Sequence, residues 1–113
     1  MKNEKLIQPV HQVLSLLVAG KYAELEALTK ADRLNASEIA KTINDYGRKL
    51  VLPSDDAFQM MNVIEVRNAK PAQWSIIMPL WTREEGRSDL SIELMLTENR
   101  NDFAVQLNNI HVL

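Results

Sequence analysis

The sequence predicts an α+β domain in which three N-terminal helices pack on a curved, four-stranded antiparallel β-meander, a cone-like arrangement. Between about residues 6 and 47, apolar residues recur every three or four positions, which is the period of a helix. Between about residues 58 and 113 they alternate with other residues, which is the period of a strand. With 113 residues, of which 46% are hydrophobic, we expect residues 1–113 to form a single domain.

The first predicted helix carries one apolar stripe, formed by Leu6, Val10, Val13, Leu14 and Leu17. Pro9 lacks an amide hydrogen and suits only the first turn of a helix, so we expect this helix to begin near Ile7 or Gln8. Gly20 can adopt a positive φ and ends it. A second, short helix is predicted over residues 22–29, with Glu26 pointing into solvent.

The third predicted helix has the clearest local signals. Asn35 is a favourable N-cap, and Glu38 follows three residues later, as in a capping box. Gly47 ends this helix. Pro53 and the acidic residues after it predict a turn or the start of a short helical turn.

Four strands are predicted in the second half: residues 59–67, 73–81, 90–97 and a last one from Phe103. Pro79 cannot donate to a neighbouring strand, so we expect an edge position or a bend there. In the last strand the apolar parity changes after Asn108–Asn109, which predicts a β-bulge. Both irregularities favour a curved sheet.

Composition excludes several classes of function. The formal charge is -2, and residues 58–113 carry five basic and seven acidic side chains, so a basic surface for nucleic acid is not expected. The absence of cysteine excludes thiol catalysis and cysteine-ligated zinc. No apolar run approaches the roughly 20 residues of a membrane span. We therefore expect a cytoplasmic protein that does not bind membranes.

No motif in the sequence predicts catalysis. The two histidines, His11 and His111, lack the partner spacing of a metal site or an acid–base pair. There is no G-x-S-x-G motif and no glycine-rich phosphate loop. We therefore expect no metal, no cofactor and no enzymatic activity.

Trp81 is the residue that most strongly indicates a binding surface. By alternation it lies on the sheet face opposite Trp74, together with Ile77, Met95 and Val63. An exposed tryptophan with apolar neighbours is typical of a partner or self-association surface, and burial of both sheet faces is the alternative. Charged residues follow in what we predict to be a long hairpin loop around Gly86: Arg83, Glu85, Arg87 and Asp89.

The order of elements and the C-terminal run Val105-Gln-Leu-Asn-Asn-Ile-His-Val112 resemble the nuclear-transport-factor-2-like superfamily. This resemblance implies a bent sheet that wraps around helices and leaves a pocket. The runs from Gly20 to Thr29 and from Trp81 to Leu90 are similar to small bacterial domains. Some bacterial proteins of this fold are immunity proteins, so the resemblance implies a toxin domain as a candidate partner.

Two functions remain open at this point. The first is a non-enzymatic binding protein, most concretely an immunity protein that occludes a toxin domain, with Trp81 as anchor and the charged residues around Gly86 as a rim. The second is a small-ligand protein or enzyme whose apolar pocket is lined by Tyr46, Trp74 and His111, with Glu65 or His111 as the acid–base group. A homodimer through the sheet face is compatible with either.

Overall fold

The structure is a computed structural model and describes residues 4–30 and 34–112. Three helices come first: α1 (Glu4–Val18), α2 (Tyr22–Thr29) and α3 (Ala36–Tyr46). A short strand and a one-turn helix follow, β1 (Leu50–Val51) and α4 (Asp55–Gln59). Four further strands complete the chain: β2 (Asn62–Glu65), β3 (Gln73–Thr82), β4 (Gly86–Asn99) and β5 (Asp102–Val112). The predicted α+β fold class, with helices before a curled antiparallel sheet, is confirmed.

The capping box of α3 is confirmed. The Asn35 side chain accepts from the Glu38 amide at 2.8 Å, and the Glu38 carboxylate accepts from the Asn35 amide at 3.1 Å. Gly47 has a φ of 75° and ends the helix by donating to the Ile43 carbonyl. The sequence reading missed one further contact: Glu26 of α2 does not point into solvent but accepts from the Ala36 amide at 2.7 Å. The start of α3 is therefore held by three side chains, two local and one from α2.

Replacing the cap tests this end of the helix. We expect Asn35→Ala to lower the free energy of unfolding by about 1 kcal/mol, because an amide at the helix start loses its acceptor. Ser37→Ala, at an exposed position of the same turn, is the matched control and should change stability little. Urea denaturation of the two variants measures the difference. Equal stabilities would contradict a role for the cap.

The predicted start of α1 is wrong by three residues. The helix begins at Glu4 and not at Ile7 or Gln8, so Pro9 lies in its second turn and cannot donate to the carbonyl of Lys5. Leu6 is only 1% exposed, which means that the turn before Pro9 already packs in the core. Burial of this turn offsets the missing hydrogen bond, since tertiary packing often overrides local preference.

The sheet is four strands wide, as predicted, but it contains a fifth short strand. β3 pairs with both β1 and β2 on one side and with β4 on the other, and β4 pairs with β5; every pairing is antiparallel. The two-residue strand β1 was not predicted and pairs Val51 with Trp81. The first predicted strand, residues 59–67, is shortened to β2 because α4 and the turn after it extend to Met60.

Both predicted irregularities are confirmed. Glu93 pairs with Asn109 and Leu94 pairs with Leu107, so Asn108 is the extra residue of a bulge. On β3, the register shifts between Pro79 and Trp81. Between its pairings with β1 and β2, the edge of β3 at Pro79 has no strand partner, and this position accommodates a residue without an amide hydrogen. The two bulges bend the sheet.

The core lies between the helices and one face of the sheet, which we call the inner face. Along β3 every second residue, from Trp74 to Thr82, is buried. The stripes of α1 and α3 pack against this face, and the buried set also includes Leu25 and Phe58. The opposite face of the sheet, the outer face, carries the partly buried residues that alternate with them along β3.

Candidate partner-binding surface

The strand register places the outer-face residues in rows across the sheet. One row runs from Ile64 through Ser75 and Met95 to Gln106. The next contains Asn62, Ile77, Glu93 and Asn109, and a third contains Pro79, Ser91 and His111. The last row joins Val51, Trp81 and Arg87. Polar and apolar side chains are mixed on this face, so it is not a second hydrophobic core.

The prediction that Trp81 lies opposite Trp74 is confirmed, whereas the prediction for Val63 is wrong. Trp74 is 8% exposed on the inner face, while Trp81 is partly buried on the outer face. Val63 pairs with Ile76 and shares its inner face. Ile64, the next residue, occupies the outer face and is 58% exposed. A one-residue change in strand register exchanges the two faces, which explains the error.

Trp81 lines a small cavity that we call the Trp81 cleft. Its walls are Ala57, Met60, Pro79, Trp81 and Arg87, and its volume is about 180 Å³. The cleft lies beside the stretch of the β3 edge between its pairings with β1 and β2, and Ala57 of α4 and Met60 line it from the other side. Met60 is 82% exposed, a large value for an apolar side chain. The sequence did not single out this residue, because it is followed directly by Met61, which is buried.

A larger, open groove adjoins the cleft along the outer face. It has a volume of about 420 Å³ and shares Met60, Pro79 and Arg87 with the Trp81 cleft. Asn62 and Ile77 line it from β2 and β3, and β4 contributes its bulged stretch from Ser88 to Ser91. We call it the outer groove. The cleft is lined mainly by apolar side chains, and the groove beside it is lined mainly by polar ones.

The predicted long charged loop is not present. Arg83, Glu84 and Glu85 make a three-residue turn, closed by the pairing of Thr82 with Gly86. Gly86 has a φ of 73°, a conformation that glycine adopts without strain. Strand pairing with β3 begins immediately afterwards, so Arg87 and Asp89 belong to β4 and not to a loop. Both side chains are exposed and line the outer groove.

The Glu85 carboxylate already forms hydrogen bonds within the protein. It accepts from the Tyr46 hydroxyl at 3.0 Å and from the Thr82 hydroxyl at 3.0 Å. Beside it, Glu84 accepts from the Lys49 amide at 3.1 Å. Glu85 therefore connects the end of α3 to the β3–β4 turn, and Tyr46 contributes to this link. Arg83 is exposed and its backbone amide donates to the Lys49 carbonyl at 2.8 Å.

This link can be tested by its effect on stability. We expect Glu85→Ala to lower the free energy of unfolding by about 1 kcal/mol, since two hydroxyl groups lose their charged acceptor. Glu98→Ala removes the same side chain from an exposed site at the end of β4 and should have little effect. Thermal unfolding compares the two variants. If both unfold at the wild-type temperature, the link does not stabilise the turn.

The four residues predicted to line a ligand pocket do not meet. Trp74 lies in the core, where its ring packs edge-to-face against Phe103 with centroids 5.7 Å apart. Glu65 is exposed on β2, and Tyr46 binds Glu85 beyond the other end of the sheet. His111 lies on the outer face of β5. Strand register makes Glu65 the cross-strand neighbour of Trp74, whereas Tyr46 and His111 lie elsewhere, so the four residues do not form one pocket.

His111 is surrounded by polar side chains of the sheet. Its Nε2 atom lies 2.6 Å from Glu93 Oε2 without the alignment of a hydrogen bond, so the two attract as ions when the histidine is protonated. Its Nδ1 atom lies 3.4 Å from Asn109 Nδ2. Asn109 in turn accepts from the Ile110 amide at 2.9 Å, next to the bulge. These contacts hold the last strand in place at its bulge, and they give His111 a structural role.

Other electrostatic features lie away from the outer face. On α3 a hydrogen bond from Lys41 to Asp45 at 2.8 Å, together with the attraction of their charges, raises the pKa of Lys41. Both side chains are exposed, and such surface pairs contribute little to stability. Residues 4–30 and 34–112 contain no group of three metal-ligating side chains. Within the same residues, no helix is long and apolar enough to cross a membrane.

Comparison with known proteins assigns the chain to a family. A family model described as a domain of unknown function, DUF7668, matches residues 14–113. The chain belongs to the DUF7668 family. No curated protein and no solved structure matches it.

The DUF7668 match includes the whole candidate surface. All residues of the Trp81 cleft and of the outer groove fall within residues 14–113, as do the turn at Gly86 and both bulges. The first turns of α1, including Pro9, precede the match. The surface therefore belongs to the DUF7668 domain itself.

Proposed function

We propose that this DUF7668 domain is a non-enzymatic binding protein whose outer sheet face holds another protein. Most concretely, it acts in the bacterial cytoplasm as an immunity protein that occludes a cognate toxin domain. The observation that carries this proposal is the Trp81 cleft: a partly buried tryptophan beside a methionine that is 82% exposed, opening into a groove of about 420 Å³. Binding energy in protein interfaces concentrates at such aromatic residues in apolar hollows with polar borders.

The arrangement of charges supports a protein partner. Arg87 and Asp89 stand two residues apart on β4 and border the outer groove with opposite signs. Neighbouring rows add the polar side chains of Asn62 and Ser91. A mixed polar border around an apolar hollow allows one partner to be selected by complementary charge. Glu85 contributes indirectly, by holding the turn that places Arg87 opposite Trp81.

The alternative of a pocket-forming enzyme receives less support. Its proposed acid–base group His111 contacts Glu93 and Asn109 on the outer face, while Trp74 is packed in the core. The inner face is filled by side chains such as Ile76, Ile92 and Leu94, each 0% exposed. Order of elements and curvature support our further proposal that the domain is related to the nuclear-transport-factor-2-like cone, with its sheet closed on a packed interior.

Coexpression with the products of adjacent genes tests the proposed function. We expect one of these products to inhibit growth alone, and to be neutralised and co-purified when this chain is present. Light scattering of the isolated chain and of the complex separates binding of the toxin from self-association through the sheet face. If no neighbouring product binds the chain or is neutralised by it, the proposal is wrong.

A further inference from the structure

The last strand, β5, forms one edge of the sheet. It pairs with β4 along one side, and no strand within residues 4–30 and 34–112 pairs with its other side. Its eleven residues, Asp102–Val112, extend over about 34 Å at the rise of an antiparallel strand. The longest dimension of the protein is 39 Å. Backbone groups that can pair with a further strand therefore run along most of the length of the molecule.

A groove shows that α2 leaves part of this edge uncovered. Its volume is about 350 Å³, and four consecutive residues of β5, Phe103 to Gln106, line it together. Successive side chains of a strand point to opposite faces, so a hollow that touches all four lies along the edge of the strand and not over one face. Leu28 and Lys30, at the end of α2, line the groove from the other side. We call it the edge groove.

The residues of β5 do little to block pairing at this edge. Natural proteins often protect edge strands with lysine or proline, and β5 contains neither of them and no arginine. Its titratable side chains are Asp102 at one end and His111 at the other. The bulge at Asn108 interrupts the regular alternation, so a strand that pairs here has to match this irregularity.

A second copy of β5 matches the bulge. When two copies run antiparallel about a twofold axis at Gln106, Val105 of one lies opposite Leu107 of the other. Asn108 is then the extra residue on each strand, as it is in the pairing with β4. The pairs beyond it are Ala104 with Asn109, Phe103 with Ile110 and Asp102 with His111. In each pair both side chains belong to the same face of the sheet, judged by their partners on β4, and no two like charges meet.

From this self-complementarity we propose that two copies of the chain pair edge to edge through β5, about a twofold axis at Gln106. The two sheets then form one continuous antiparallel sheet, with backbone hydrogen bonds between the copies. Asp102 of each copy faces His111 of the other, and opposite charges meet there whenever the histidine is protonated. The axis is perpendicular to the sheet, so a pair of chains displays two Trp81 clefts on the same side. This inference goes beyond the proposed function and does not depend on it.

A residue on a twofold axis meets its own copy, which provides the first test. Sedimentation equilibrium of the full chain measures the dissociation constant of the dimer. Gln106→Glu and Gln106→Lys each place two like charges opposite each other and should raise this constant about tenfold or more. An equimolar mixture of the two variants should pair again, because opposite charges then meet. Gln73→Glu and Gln73→Lys, the same changes at a partly buried position on the same face of β3, should leave the constant unchanged.

The absence of cysteine allows the register to be tested directly. Gln106→Cys places one thiol on each copy at the axis, where opposite Cα atoms lie about 4.5–5.5 Å apart and within reach of a disulfide. Oxidised glutathione should therefore link the two copies. Ala104→Cys is the matched control, because its two copies lie about 14 Å apart along the strands and should link far more slowly. A mixture of Ala104→Cys and Asn109→Cys should link as a heterodimer, since these positions face each other.

Several results would overturn the inference. One is a wild-type chain that remains monomeric at the highest soluble concentration. Another is equal linkage of Gln106→Cys and Ala104→Cys, because the axis would then not lie at Gln106. Rapid linkage of Ser75→Cys, on the outer face of β3, would assign self-association to the sheet face instead. Binding of a neighbouring gene product to the Gln106→Lys variant is measured separately, so the dimer and the proposed function can fail independently.

Discussion

Trp81→Ala is expected to weaken binding of the partner protein by about 30-fold to 1000-fold, which corresponds to about 2–4 kcal/mol for an interface hot spot. The truncation removes the aromatic wall of the cleft and the unpaired indole donor at once. Calorimetric titration of the partner protein with the wild-type chain and with the Trp81→Ala variant measures the loss of affinity. Growth protection in coexpressing cells should decline in parallel.

The fold must survive for this result to be interpreted. Trp81 is only partly buried, so its loss should cost less stability than the roughly 3–5 kcal/mol typical of a tryptophan removed from a core. Circular dichroism at the assay temperature checks that the variant is folded. Trp81→Phe retains most of the ring and should weaken binding less than Trp81→Ala. A folded Trp81→Ala chain with wild-type affinity would show that the partner binds elsewhere.

Leu94→Ala is expected to give the largest loss of stability, about 2–5 kcal/mol in the free energy of unfolding. Leu94 is 0% exposed on the inner face, so alanine leaves a cavity between sheet and helices. Chemical denaturation at neutral pH measures the change.

Met95→Ala, one residue further along β4, is the matched control. Met95 pairs with Ser75 and Gln106 on the outer face and is only partly buried, so its truncation should cost less than about 1.5 kcal/mol. The difference between the stability losses of Leu94→Ala and Met95→Ala measures how differently the two faces of the sheet are packed. Similar losses for both variants would mean that the outer face is packed as tightly as the inner one.

Local signals predicted much of this fold. Three kinds of feature depend only on neighbouring residues and are visible in the sequence. They are the capping box at Asn35, the helix ends at Gly20 and Gly47, and the bulge at Asn108. The start of α1 was misplaced because burial of Leu6 outweighs the cost of Pro9. Such a balance depends on contacts that are distant in sequence.

The candidate surface was predicted only in part. Alternation placed Trp81 on the face opposite Trp74. It could not indicate that strand pairing shortens the turn to Arg83–Glu85, which turns Arg87 from a loop residue into the cross-strand neighbour of Trp81. Nor could it show that Glu85 binds Tyr46, 39 positions earlier in the chain. Both outcomes depend on which strands meet, and in which register.

The sequence by itself determined the order of the three N-terminal helices and the four main strands, the ends of α2 and α3, and the two places where the sheet bends, since each follows from local periodicity, capping or turn chemistry. Only the tertiary structure decided that β1 and β2 share one edge of β3 and leave a gap at Pro79. The Trp81 cleft lies at that gap, lined by Ala57 of α4 and by Met60, Pro79, Trp81 and Arg87. The physical reason is that such a cavity forms where segments distant in the sequence pack incompletely against each other.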